Sequence, residues 1–128
     1  MGILKSATVG VTATGANGSG AGNSDSDSFI GEIAGFYVNY ASDCPNTADV
    51  TITDKRTGVT IWTLNNANTD IYVVPAIGKK TSANAAILDS EVNAVAEAPY
   101  CVDQGVNVSV AQANSATNQV IVTVFYRK

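Results

Sequence analysis

The stretch "SATVGVTAT", residues 6–14, changes character from one residue to the next. Ala7, Val9, Val11 and Ala13 fall on one side; Ser6, Thr8, Thr12 and Thr14 fall on the other. Side chains of an extended chain point alternately to opposite faces, so this is a strand with one buried face and one wet face. The same period returns near the end of the chain. In "QVIVTVFY", residues 119–126, Val120, Val122, Val124 and Tyr126 share one face, and Ile121, Thr123 and Phe125 the other. In "CVDQGVNVSVAQA", which begins at Cys101, Val106, Val108 and Val110 share a face. "NSATN" joins these two strands, which therefore read as a closing hairpin.

The middle of the chain follows the same logic. "FIGEIAGFYVNY", residues 29–40, is apolar on both registers: Ile30, Ala34, Phe36, Val38 and Tyr40 on one, Phe29, Ile33 and Tyr37 on the other. This predicts a long central strand, with Gly31 or Gly35 at a bulge or a close backbone contact. "ADVTIT" (48–53) and "GVTIWTL" (58–64) flank "DKRTG" and form a hairpin by pattern; Trp62 there either caps a second core layer or sits at an interface. "IYVVPA" (71–76) is a short extended piece stopped by Pro75. Residues 77–100 are the least regular, and "NAAILDSEVNAVAEAP" reads either as one or two helical turns or as an extended segment. The fold expected from this order is all-β: an antiparallel β-sandwich or jelly roll of six to eight strands with long loops. Residues 1–5 form an N-terminal arm in this reading, and residues 6–128 a single domain.

Composition narrows the function. The chain has 128 residues, enough for one core, with 14% charged residues and a net charge of −4. Its seven basic residues do not gather into a nucleic-acid groove, and no apolar run reaches the roughly 18 residues of a membrane span. "MGILKSATVG" is too short in apolar residues for a secretory signal, so the chain reads as made and kept in the cytoplasm or as a mature form. There is no histidine, which removes Ser-His-Asp and Cys-His activation and nearly all catalytic zinc sites. The acids are scattered, with no pair flagged for glycoside chemistry. The expectation is a protein that is not an enzyme and carries no cofactor. Cys44 and Cys101 are too few for a zinc site; one disulfide and two free thiols both remain open.

Two features invite a ligand. "TGANGSGAGNSDSDSF", residues 14–29, offers side-chain oxygens from Asn23, Asp25 and Asp27 at alternate positions, as a calcium loop would. An EF-hand needs Gly and Glu where Ser28 and Ala34 stand, so the other reading is a solvated hairpin connection, long for its kind. Tyr37, Tyr40, Trp62, Tyr72, Tyr100 and Tyr126 either form a sugar platform or pack in the core and at interfaces.

The order of "GEIAGFYVNY", "TADVTITDKRTGVTIWTLNNANTDIYVVPA" and "VNVSVAQANSATNQVIVTVFY" is similar to that of small all-β structural proteins encoded with the head genes of tailed bacteriophages. The resemblance implies a virion component: a capsid decoration (cement) protein on the virion surface, assembled in the bacterial cytoplasm, with a head–tail or tail protein as the alternative. The decoration protein's partner would be the major capsid protein, with self-association as a homotrimer. From composition, neither nucleic acid nor membrane is expected as a partner. The segments 1–5 and 77–100 are then the candidates for shell or subunit contact, through Ile3, Leu4, Ile87 and Leu88, with Trp62 as a further interface residue.

Overall fold

The structure, a computed structural model, describes residues 3–78 and 97–128. In chain order its strands are β1 (Leu4–Ala13), β2 (Gly20–Asp25), β3 (Gly31–Tyr40), β4 (Asp49–Asp54), β5 (Thr60–Leu64), β6 (Ile71–Val73), β7 (Ala76–Gly78), β8 (Glu97–Pro99), β9 (Cys101–Val102), β10 (Val106–Ala113) and β11 (Ala116–Arg127). One sheet runs β1-β11-β3-β6, with β9 pairing the start of β3; the other runs β2-β10-β4-β5. β7 and β8 pair with each other as a separate ribbon. With the short β7, β8 and β9 set aside, the first strand pairs with the last and the second with the next to last. The inner strands pair likewise, β3 with β6 and β4 with β5. That nested, antiparallel order is a jelly roll, one of the two all-β forms expected, with eleven strands among the described residues where six to eight were expected.

Period-two patterning explains the two layers. Val9, Val11, Phe36, Val38, Val120, Val122 and Val124 line the inner face of the first sheet, and Val50, Ile52, Val106, Val108 and Val110 line that of the second; all are buried. β3 needed both of its registers. Phe125 pairs with Gly35 but Tyr126 pairs with Ile33, so Ala34 is an extra residue on β3. The bulge turns the strand over: Ile33 is buried before it, and Phe36, Val38 and Tyr40 after it. At that end Tyr126 stacks on Phe29, ring centroids 4.0 Å apart.

Three expectations are corrected. Residues 14–29 are not one long hairpin connection: Gly20–Asp25 forms β2, which pairs with β10 in the opposite sheet, and only Thr14 and Ala21 bridge directly. "NSATN" does not close a hairpin, because β10 and β11 lie in different sheets and the chain crosses the sandwich between them. The corner is built from left-handed Gln112 and Asn118 (φ 53° and 51°) and from Gln119, whose side chain is wholly buried. Gln119 accepts the Asn114 N–H at 2.8 Å and donates to the Asp43 carboxylate at 2.9 Å, tying this corner to the loop after β3. The arm is also shorter than the pattern implied: Leu4 and Lys5 already belong to β1. Of the irregular segment 77–100, Glu97–Pro99 is a strand; residues 79–96, where the helical turns were considered, lie outside the described residues.

The β4–β5 hairpin stands as read, with Val50 opposite Leu64 and Ile52 opposite Trp62. A bulge at Ile61 brings Trp62 onto the inner side, half-buried against the core. Its turn is organised by buried Asp54, which accepts the Arg56 N–H at 2.9 Å and the Tyr100 hydroxyl at 2.9 Å. The Arg56–Asp103 ion pair beside it, 2.9 Å apart, is half exposed on both sides. Such a pair contributes under about 1 kcal/mol. The cysteines are both free: Cys44 is buried beyond the end of β3, while Cys101 is exposed opposite Glu32 near its start.

Two measurements check this core. Gln119→Leu keeps the shape but leaves the Asn114 N–H and the Asp43 carboxylate without their partner; chemical denaturation should show a loss of about 1–3 kcal/mol, and an unchanged midpoint would contradict the role given to Gln119. Tyr40 is the second probe. Its hydroxyl is pushed from 10.0 up to about 12, by burial first and then by Cys44 and Asp70. Because the fold raises this value, its contribution to stability is intact below the ordinary tyrosine range and declines as pH rises from 10.0 towards about 12. Ultraviolet titration of Tyr40→Phe against the parent should remove a late-ionising tyrosine; loss of an ordinary one would contradict this.

Candidate functional site

The two outer faces differ in kind. That of the second sheet is polar, with Asn23 and Asp25 on β2, Asn107 and Ser109 on β10, and Thr51 and Thr53 on β4. Here lie two of the proposed calcium ligands. Asn23 and Asp25 share a side because they are two apart on a strand, and both accept from the Asn107 amide, at 3.2 and 2.8 Å. Asp27 lies past the strand's end, exposed. The alternation that suggested a metal loop is thus the period of β2.

The outer face of the first sheet is mixed. Thr8 stands opposite Thr123 at its middle, and one end carries Gly10 opposite Ile121. At the other, Leu4, Ala34, Tyr72, Val74 and Phe125 line an open hollow of about 510 Å³, with Arg127 on its rim. Val74 is 67% exposed, Leu4 57% and Tyr72 52%, so large apolar side chains stand in water on a rigid sheet. Local sequence explains the arrangement. Gly35 has no side chain, and the Tyr72 ring lies over it; a Cβ there would collide with that ring. Phe125, next to Gly35 in the ladder, meets the Tyr72 ring at 6.0 Å. The aromatic ring thus covers a strand glycine, which otherwise leaves backbone bare. Arg127 also borders two neighbouring hollows, of about 260 and about 780 Å³.

Of the contact residues expected from the sequence, Leu4 lies in this strip and Ile3, 73% exposed, lies just before it in the chain. Trp62 belongs to the other sheet and faces inward. Ile87 and Leu88 lie outside the described residues. The tyrosines also separate. Tyr40 is buried, Tyr100 donates to Asp54 and Tyr126 stacks on Phe29. Tyr37 and Tyr72 stand opposite each other on the outer face. Tyr72 was weighed only with the other tyrosines, as sugar platform or packing, and Val74 and Phe125 escaped the sequence reading as contact residues. The available signal was Phe125 itself, an aromatic on the wet face of an alternating strand.

Chemically this face offers apolar area, two phenol rings and a guanidinium; it is suited to binding a surface. No family model, no curated protein and no solved structure matches this chain.

The Gly35–Tyr72 contact is testable by a double-mutant cycle. Gly35→Ala should cost about 1–3 kcal/mol through overpacking. Adding Tyr72→Ala should recover part of that loss, because it removes the colliding ring. Strictly additive losses in denaturant unfolding would show that the two residues do not meet.

Proposed function

We propose that this jelly roll is a structural protein of a bacteriophage virion, a capsid decoration protein that docks on major capsid subunits through the outer face of the first sheet. The observation that carries the proposal is the strip of Leu4, Tyr72, Val74 and Phe125 at one end of this face, in which Leu4, Tyr72 and Val74 are exposed. Contiguous apolar side chains held in water by a rigid scaffold mark docking surfaces. A polar rim around an apolar centre is the usual anatomy of an interface. The order of strand motifs, similar to that of small head proteins of tailed phages, supports the same role.

In this role the protein works by adding contact area across seams between shell subunits. Each copy contributes a modest interface, and copies that associate with one another gain avidity without any new contact to the shell. The flat face is suited to this because the bulge at Ala34 and the ring of Tyr72 fix its relief before binding, so little ordering is needed on docking.

A second reading has its own observation. Tyr37 and Tyr72 stand as a cross-strand pair on the outer face, 37% and 52% exposed, and paired rings can stack on sugars. A glycan array separates the two: sugar affinity abolished by Tyr72→Ala would favour a carbohydrate-binding module.

The main test mixes the purified protein with expanded phage heads that lack it. Wild type should co-sediment and raise the temperature at which the heads rupture. Val74→Asp alters an exposed side chain, so it should leave the melting point near wild type and weaken head binding by about tenfold or more. Wild-type protein that neither binds heads nor stabilises them would overturn the proposal.

A further inference from the structure

We infer that two copies of this chain join edge to edge along β1, forming one continuous sheet across a twofold axis. The inference goes beyond shell docking, since it uses the edge of the first sheet and not its face. Every open sheet has edges, and natural proteins blunt them with short strands, bulges or charges. The other edges here are blunted in that way. β6 has three residues and β9 two; β5 has five and carries the bulge at Ile61. β2 has six residues, two of them interior or terminal glycines, and Asp25 at its end. β1 has ten residues, and among the described residues it pairs with β11 alone, in unbroken register through Val11.

The hydrogen bonding of β1 shows which groups are free. The Lys128 N–H donates to the Ile3 carbonyl at 3.3 Å, so residue 3 points its backbone groups towards β11. In an antiparallel ladder this alternates, so odd residues of β1 bond β11, and the N–H and C=O of Leu4, Ser6, Thr8 and Gly10 point away from it. All four residues are exposed, including Gly10, which has only backbone to expose. Beyond them the edge closes: β2 comes up against it, with Gly22 against the Thr12 carbonyl and Thr14 exchanging hydrogen bonds with Ala21.

The open run is complementary to itself. Laid antiparallel about a twofold through Ala7, Leu4 meets Gly10 of the second copy and Ser6 meets Thr8. Each pair exchanges both of its backbone hydrogen bonds. Lys5 then faces Val9 and not the other Lys5, so no like charges oppose. The exposed Leu4 side chain faces Gly10, which has no side chain of its own and is overlaid by the Asn118 amide. A contact of this kind uses the same patch twice and closes at two subunits. It therefore makes a dimer, where the resemblance to phage head proteins implies a trimer.

Sedimentation equilibrium of the full chain should give the mass of a dimer. Thr8→Pro removes an N–H that makes no bond among the described residues, and Pro is tolerated at such an edge position; this variant should fold and its mass should halve. Ala7→Cys in a Cys101→Ser background gives a second test that needs no disruption. Ala7 opposes itself across the axis in a non-hydrogen-bonded pair, where Cα atoms sit about 4.5 Å apart, within disulfide reach. Mild oxidation should yield a covalent dimer, and Ser6→Cys, which faces Thr8, should not. A monomeric or trimeric wild type, a Thr8→Pro variant that stays dimeric, or equal crosslinking of the two cysteine variants would each overturn the inference.

Discussion

The chain closes on itself through the pairing of β1 with β11. From Leu4 opposite Arg127 to Val11 opposite Val120, the first strand lies along the last. β11 is also the strand that carries β3, so the first sheet is assembled around it. The nested order of the other pairs follows from that closure: once the ends of the chain lie side by side, β2 falls beside β10 across the sandwich, and β4 beside β5 at the centre of the roll. The energetic reason is the layer of branched side chains that the pairing brings together. Val9, Val11, Val120, Val122 and Val124 are all buried. Each contributes on the order of 1.5–3 kcal/mol relative to exposure, well above what the half-exposed Arg56–Asp103 pair supplies.

The proposed docking face is a consequence of that layer. With valines filling the interior, the alternate positions of the first sheet are pushed outward, and there the sequence is free to be polar or apolar. Around the middle it carries Thr8 and Thr123, with Ile121 beyond them. At the Arg127 end it becomes Leu4, Phe125 and Tyr72, arranged by two backbone features, the bulge at Ala34 and the bare strand at Gly35. The second sheet meets the same freedom with Asn23, Asp25 and Asn107, which satisfy one another. The molecule thus has one face suited to water and one suited to another surface.

How far the sequence could be read depends on the kind of information each element carries. Period-two alternation shows which residues of a strand face inward, and it gave the inner faces of β1, β10 and β11 correctly. A strand whose partner follows within a short turn, as β4 is followed by β5, also reveals its pairing. Alternation does not reveal a distant partner, and for that reason the crossings at Asn114 and at Gly15 read as hairpin turns in the sequence. β2 was invisible because "GAGNSD" has no branched or aromatic residue; it is a strand by its pairing with β10 and not by propensity. The doubly apolar run in β3 announced a bulge, and its position emerged only from the ladder with β11. The contact strip was half legible: Leu4 stood out as unburied, while Tyr72 and Phe125 looked like ordinary strand residues until Gly35 brought them together.

In the proposed role, the apolar end of the first sheet's outer face lies against a capsid shell. Electron cryomicroscopy of phage heads reconstituted with the purified protein addresses this directly. Added density is expected on the outer shell surface, fitted by the jelly roll with Leu4, Tyr72, Val74 and Phe125 turned towards capsid subunits. Heads without added density, or copies bound with that face turned to solvent, would contradict it.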